Sequence, residues 1–320
     1  MSQQGKTLAN ALIGSIESHS ETFGRRSLRL RHTLQDNPLF SDGALARLIE
    51  ATPRDRFHVN TMPRETTDPR SWREGDIHGV SGEAVLQAVA KGHIWLHLQR
   101  IQDASDSYTA LLDALYEEIE ACIPSFRSFK RSMSILVSSP RMNVAYHADV
   151  PGQCLWQIRG KKRIWLYPAR EPFLPQRTLE DIVLKRTADT DFSYEPSFDD
   201  AAEIYDLQPG DWLTWPHNGP HRVANEGCLN VSLTTEHWTD ELRATYAVDY
   251  ANGLMRPLVG DRALSRETSG PTFWARFALA GAHKVLRSKS KARLPLAVDF
   301  HVNPASPDGF VDVVPYQILK

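Results

Sequence analysis

His147-Ala148-Asp149, within the run Asn143-Val144-Ala145-Tyr146-His147-Ala148-Asp149-Val150-Pro151-Gly152, is the stretch on which the fold of this chain turns. Side chains two apart on a strand point to the same face, so His147 and Asp149 would share one side. A later segment, Gly210-Asp211-Trp212-Leu213-Thr214-Trp215-Pro216-His217-Asn218-Gly219-Pro220-His221, brings a further imidazole. Two imidazoles and one carboxylate are the ligand set of a non-haem Fe(II) site that keeps coordination positions open. For His221 to join the pair, a later strand must lie beside the first in one barrel. His217 competes as third ligand, but Pro216 and Gly219-Pro220 place it in a turn.

Working outward, short strands surround the motif. Met133–Val137, Asn143–Asp149 and Gln153–Arg159 read as strands, and Gly160-Lys161 reads as a tight hairpin turn into Lys162–Tyr167. Strands resume at Trp212–Trp215 and Leu229–Glu236 after a polar segment, Pro168–Glu203, that turns acidic towards its end. A loop of that length is either a surface excursion or a lid over a site. Many short strands with Gly and Pro turns, after a helical start, imply a mainly β barrel dressed with helices. Lys162 would point inward with Ile164 and Leu166, as a buried cation that needs an anionic partner.

The flanks mix element types. Ser41 caps a helix carrying Leu45, Leu48 and Ile49, Ser81–Ala90 forms another, and Tyr108, Leu111, Leu112, Leu115 and Ile119 fall at helical spacing. Ile94–Leu98 is a buried strand, and the polar stretch Pro63–Gly82 a surface loop. Leu8, Leu12 and Ile16 suit one face of a short helix. A helix through Phe273, Phe277, Ala280 and Lys284 would turn Trp274 and Phe277 inward. The organisation expected is an N-terminal α/β region over 1–130, a barrel over 131–240 with an insertion at 168–203, and a helical extension over 241–320.

Of the 320 residues 37 are basic and 39 acidic, so no bulk charge draws the chain to nucleic acid or membrane. The run Lys284, Arg287, Lys289, Lys291, Arg293 lacks interleaved aromatics and reads as a solvated connector. Three scattered cysteines make neither a disulfide framework nor a zinc cluster, and no apolar run approaches the roughly 20 residues of a membrane helix. A reducing, cytoplasmic setting is the expectation.

The run from His147 through Gly160-Lys161-Lys162 to Pro168, with Gly210-Asp211 through Pro220-His221, resembles the JmjC and cupin-like Fe(II)/2-oxoglutarate oxygenases. It is most similar to the branch containing the asparaginyl hydroxylase of hypoxia-inducible factor. The resemblance is strong over residues 132–238. It implies a double-stranded β-helix (jelly-roll) fold, with iron on His147, Asp149 and His221. It places Lys162 on the distal carboxylate of 2-oxoglutarate. The implied reaction consumes O₂ and 2-oxoglutarate, releases succinate and CO₂, and hydroxylates an unactivated C–H of a protein side chain, peptide or small metabolite. A carboxylate retained at Asp149 goes with hydroxylation rather than halogenation. In some relatives the C-terminal region forms a homodimer, which would be the partner expected there.

Departures from the pattern are visible. Val144 stands where some relatives carry a hydroxyl, and Glu236 where the asparaginyl hydroxylase has an amide. Gln153, and Asn143 by its strand parity with His147, would take over polar contacts to the co-substrate. Trp156, Trp165, Trp212 and Trp215 are barrel core or a substrate-stacking wall. Asn230, Ser232 and Thr234 line a cavity if their face points inward. Two other functions share such a barrel. An isomerase or epimerase on zinc or manganese calls for extra His or Glu ligands near His147, and none stands at suitable spacing. A non-catalytic binding module would not need the intact trio.

Overall fold

The computed structural model describes residues 11–13, 16–64, 68, 71–261, 264–288 and 295–319. The elements run β1 (Leu12–Ile13), β2 (Leu28–His32), α1 (Asp42–Ala51), β3 (Phe57–Thr61), β4 (Arg73–Asp76), α2 (Gly82–Lys91), β5 (Trp95–Leu98) and α3 (Asp106–Cys122). Then come β6 (Phe129–Ser138), β7 (Asn143–His147), β8 (Gly152–Arg159), β9 (Lys162–Leu166), α4 (Gln176–Val183), β10 (Glu203–Leu207), β11 (Asp211–Thr214), β12 (His221–Asn225) and β13 (Asn230–Trp238). Helices α5 (Asp240–Val259) and α6 (Gly270–Ser288) precede a last hairpin, β14 (Pro295–Val302) and β15 (Phe310–Leu319).

Two sheets form the jelly roll. The larger runs β1-β2-β11-β8-β13-β6-β5-β3-β4-β14-β15 and the smaller β10-β9-β12-β7. The turn after β8 behaves otherwise than a hairpin. β8 pairs with β11 and β13 in the large sheet, while β9 pairs with β10 and β12 in the small one. Gly160, at φ 73°, carries the chain from sheet to sheet, and a Cβ there would meet the Leu229 carbonyl oxygen at 2.3 Å. The expected tight turn exists, but it opens the barrel instead of closing a ribbon.

Strand alternation sorts the large sheet into two faces. Cys154, Trp156 and Ile158 of β8 pack outward with α1, α2 and α3 into the main core, where Trp156 stacks on Trp212 at 4.4 Å and 5°. The main core is therefore outside the barrel. Asp211, fully buried, accepts from Arg29 at 2.7 Å and Arg31 at 2.5 Å and so staples β2 to β11. Trp156 and Trp212 are core, as one of the two readings had it. Trp165 lies outside the small sheet beneath the Arg222 guanidinium at 3.5 Å, and only Trp215 of the four faces the cavity.

The flanks differ from expectation in three places. Residues 1–130 do more than pack on the barrel, because β2 and β5 hydrogen-bond to its strands β11 and β6. The stretch Pro63–Gly82 contains β4, which pairs with β3, so it is not only a loop. Residues 241–320 are not helical throughout, since β14–β15 joins the large sheet by a parallel pairing of Phe300 and His301 with Gly75 and Asp76. Helix capping and hydrophobic spacing act locally, whereas these additions are set by which sheet edge stands open. Leu12 is in a strand, not a helix, and Leu8 lies outside the described residues. On α6, Phe277 packs half-buried against the neighbouring cluster as expected, beside buried Phe273 and Ala280, but Trp274 is 64% exposed. Lys289, Lys291 and Arg293 of the basic run also lie outside the described residues. No described helix is long and apolar enough to cross a membrane.

Candidate metal centre and substrate cavity

The small sheet brings the three ligand candidates together. His221, first residue of β12, sits opposite His147 of β7 and Leu166 of β9. One ligand atom each from His147, Asp149 and His221 lies within 4.8 Å of the others, the one such group among the described residues. The His147 and His221 rings are 4.0 Å apart, and His221 Nε2 is 3.4 Å from Asp149 Oδ2. Each histidine is held by its other nitrogen. His147 Nδ1 donates to the Ala145 carbonyl at 2.8 Å and His221 Nδ1 to that of Gly219 at 3.1 Å. That fixes the tautomer which leaves both Nε2 lone pairs free for a cation.

Burial prepares the same groups electrostatically. It pushes the Asp149 carboxyl up to about 6, against the opposing pull of His147, and holds His221 well below the usual imidazole range. Both shifts disfavour charge in the bare site, and a divalent ion reverses the cost for the carboxylate. His217 is not a ligand. It is in the turn, where its Nε2 donates to the Val150 carbonyl at 2.6 Å, and so it ties the turn to the chain leaving Asp149.

Lys162 faces the same cavity, only 4% exposed, with Ile164 and Leu166 inward on its strand. Burial alone pulls its ammonium down to about 7. No described carboxylate lies within ion-pair distance of it. A buried ammonium without a counter-ion calls for an anion from outside the chain.

One pairing irregularity overturns an expectation. Along β12 the partners of His221 and Val223 are His147 and Val144, so β7 holds one extra residue over that interval. A β-bulge of this kind switches strand parity. Val144 therefore faces the cavity with His147, and Asn143, opposite Ala224, is not among the residues lining it. Gln153 does line it, buried, and its amide reaches Glu236 Oε1 at 3.4 Å, while Ser132 Oγ donates to Oε2 at 3.0 Å. Thr234 also faces in. Ser232 and Asn230, further along the same face, are fully buried in a network on the Gln157 side-chain amide.

The cavity measures about 510 Å³ and has an outer half that the motifs did not reveal. The large sheet continues past β6, and β5, β3 and β4 present Trp95, His97, His58, Asn60 and Glu74 to the same space, with Trp72 beside them. Leu96 and Leu98 of β5 are in the core while Trp95 and His97 are half-exposed. That alternation was present in Trp95-Leu96-His97-Leu98 and separates a one-sided strand from a wholly buried one. The insertion also reaches the site. Asp189 and Thr190 line it, and the Asp189 carbonyl accepts from the Ala148 N–H at 3.1 Å. From the C-terminal hairpin comes Leu296.

A sequence model of the Cupin-like domain matches residues 74–242, more than half of the chain. The chain belongs to the Cupin-like domain family. The matched span begins in β4 and ends just inside α5, so of the outer cavity wall it includes β5 and most of β4 but not β3 or Trp72. Among solved structures it resembles YcfD of Escherichia coli, with a TM-score of 0.49 and 18% identity over 86% of this chain and 68% of that one. A structure of YcfD described as a ribosomal oxygenase in complex with cobalt and 2-oxoglutarate gives a TM-score of 0.47 and 16% identity, covering 87% and 68%. A cupin superfamily protein of Desulfitobacterium hafniense matches at a TM-score of 0.22 and 13% identity, over 36% of this chain and 72% of that one. No curated protein matches this Cupin-like chain significantly.

Proposed function

We propose that this Cupin-like protein is an Fe(II)- and 2-oxoglutarate-dependent oxygenase that hydroxylates a C–H bond of a protein side chain, peptide or small metabolite. One observation carries the reading. A two-histidine, one-carboxylate cluster shares a cavity with a buried lysine that has no counter-ion among the described residues. Iron with 2-oxoglutarate and O₂ supplies the oxidising chemistry, leaving succinate and CO₂.

The chain's own residues do the rest. His147 and His221 offer Nε2 because backbone carbonyls hold Nδ1, and Asp149 completes one face, leaving the other open. Lys162 pairs with the far carboxylate of the co-substrate, a charge-assisted contact that offsets the desolvation of both partners. Leu155, Val223 and Trp215 give the cavity apolar lining, with Ile164 packed behind them. The residues thus fit a divalent metal and a dicarboxylate together, and a metal alone would leave Lys162 unexplained.

Anaerobic addition of Fe(II), then 2-oxoglutarate, tests the reading through the weak visible charge-transfer absorption of the chelate. The band is expected in the wild type and absent in His147→Ala. Metal bound without a band favours a metal-dependent isomerase or epimerase, and no metal binding favours a non-catalytic binding module.

A further inference from the structure

Resting on the metal-binding part of that reading, we propose that His217 is a positioning residue. Its hydrogen bond to the Val150 carbonyl holds Asp149 at ligand distance from His221, and metal affinity depends on it. Asp149 stands past the end of β7, whose pairing with β12 stops at His147, so no strand ladder fixes it. Its carboxylate meets His221 Nε2 at 3.4 Å and takes no hydrogen bond from a described residue. Where the carboxylate stands is therefore set by the backbone on either side of it. The Ala148 N–H donates to the Asp189 carbonyl at 3.1 Å, and the Val150 carbonyl accepts from His217 Nε2 at 2.6 Å. Asp149 is thus held between two tethers, one from the insertion and one from the turn that precedes His221.

The second tether spans the ligand set. The turn between β11 and β12 is closed by the Gly219 N–H, which donates to the Pro216 carbonyl at 3.0 Å. Asn218 takes φ 58° within it, and a Cβ on Gly219 would meet the Pro216 oxygen at 3.0 Å. The Gly219 carbonyl of the same turn accepts from His221 Nδ1 at 3.1 Å. One short turn therefore orients the His221 ring with one group and anchors the Asp149 segment with another. His217 is not among the residues lining the metal cavity, and with Asn218 and His237 it borders a separate groove. Its influence on a metal must pass through Val150 to Asp149. Metal–ligand bonds hold their lengths within about 0.2 Å, so a loosened carbonyl next to Asp149 is felt at the ion.

The test uses the full chain and Co(II) alone, under anaerobic conditions, with calorimetry for affinity and the visible absorption bands of Co(II) for ligand geometry. His217→Phe keeps an aromatic ring and removes the donor. Its Co(II) affinity is expected to fall about tenfold or more, as when a partner behind a metal ligand is lost. The bands of the saturated variant shift as the carboxylate moves. His217→Gln keeps an N–H donor of similar reach and recovers most of both properties. Gly75→Ala is the control, since a fold weakened in another part of the molecule should keep wild-type Co(II) affinity and bands. Affinity in His217→Phe within about twofold of wild type overturns the proposal while the metal centre stands. So does a glutamine variant no better than the phenylalanine one, or an equal loss in Gly75→Ala. If His217→Phe does not fold, His217→Gln against the shorter His217→Asn decides, and equal affinities overturn the proposal. A wild type that takes up no Co(II) overturns this proposal and the oxygenase reading together.

Discussion

The four-stranded and eleven-stranded sheets face each other across one cavity but are built on opposite principles. The small sheet places charged or metal-ligating groups at its inner positions: His147, His221 and Lys162 all come from it. It is assembled from segments between Asn143 and Asn225, and its interior hydrocarbon is a small cluster around Ile164, Leu166 and Val223. The large sheet draws strands from both ends of the chain and buries most of the apolar side chains, on its outer face. The difference teaches where tolerance lies. Stability resides mainly on the far side of the large sheet, so the small sheet can hold desolvated ionisable groups that cost stability.

The sharpest way to break this contrast is Lys162→Ala. If the small sheet's buried cation exists for the co-substrate, the 2-oxoglutarate concentration needed for half-saturation rises about 10- to 100-fold, as for a lost hydrogen bond between charged groups. Co(II) affinity changes little, and thermal stability holds or rises because a desolvated ammonium is gone. Comparable losses of metal and 2-oxoglutarate binding, read by calorimetry, would mean that Lys162 serves the metal centre itself.

The large sheet offers the converse experiment. In Gly75→Ala the new methyl would meet the Phe300 ring at 2.1 Å, where β4 receives the C-terminal hairpin. Overpacking of this kind costs about 1–3 kcal/mol. A fall in denaturation midpoint is expected, with metal stoichiometry per folded molecule unchanged. Loss of metal from the folded variant would show that the two sheets are not separable.

The pH dependence is subtler. Burial depresses Lys162 from the ordinary lysine value to about 7, so between there and about 10.5 the unfolded chain binds more protons than the folded one. This group alone makes the metal-free, co-substrate-free protein more stable as pH rises through that window. Binding of the dianion needs the proton back, so 2-oxoglutarate affinity falls above about pH 7, by at most about tenfold per unit. Calorimetry of metal-loaded protein in buffers of different ionisation enthalpy reads the proton uptake directly, and Lys162→Met abolishes it.

The smallest effect is predicted for Asn143→Ala. Because the bulge in β7 turns Asn143 away from the cavity, 2-oxoglutarate affinity should change by less than about twofold, within the usual range of substitutions away from a site. Val144→Asp, one residue on, should weaken it strongly by adding a like charge beside the co-substrate. A large effect at Asn143 and none at Val144 would mean the parity is unbroken.

How much of this was legible beforehand depended on the range of the interaction. The helix cap at Ser41, the helix from Ser81, the strands around the motif, the inward lysine and the candidate ligand trio were legible in local spacing and residue type. The outer cavity did not emerge because Trp72 and Glu74 sit in a stretch rich in polar and turn residues, where β4 exists only because β3 and β14 flank it. Asn143 was misplaced because a bulge is a property of a strand pair, invisible in one strand.

By itself the sequence determined which chemical groups could meet: an alternating His–Asp pair, a histidine after a proline turn, a lysine among aliphatics. These are local rules, written in side-chain spacing. Only the tertiary structure decided which sheet each strand joined, that the Gly160 turn crosses between sheets, and that both chain ends close the far wall. Those outcomes depend on which sheet edges stand open and which faces need covering, and such demands exist only once distant segments have come together.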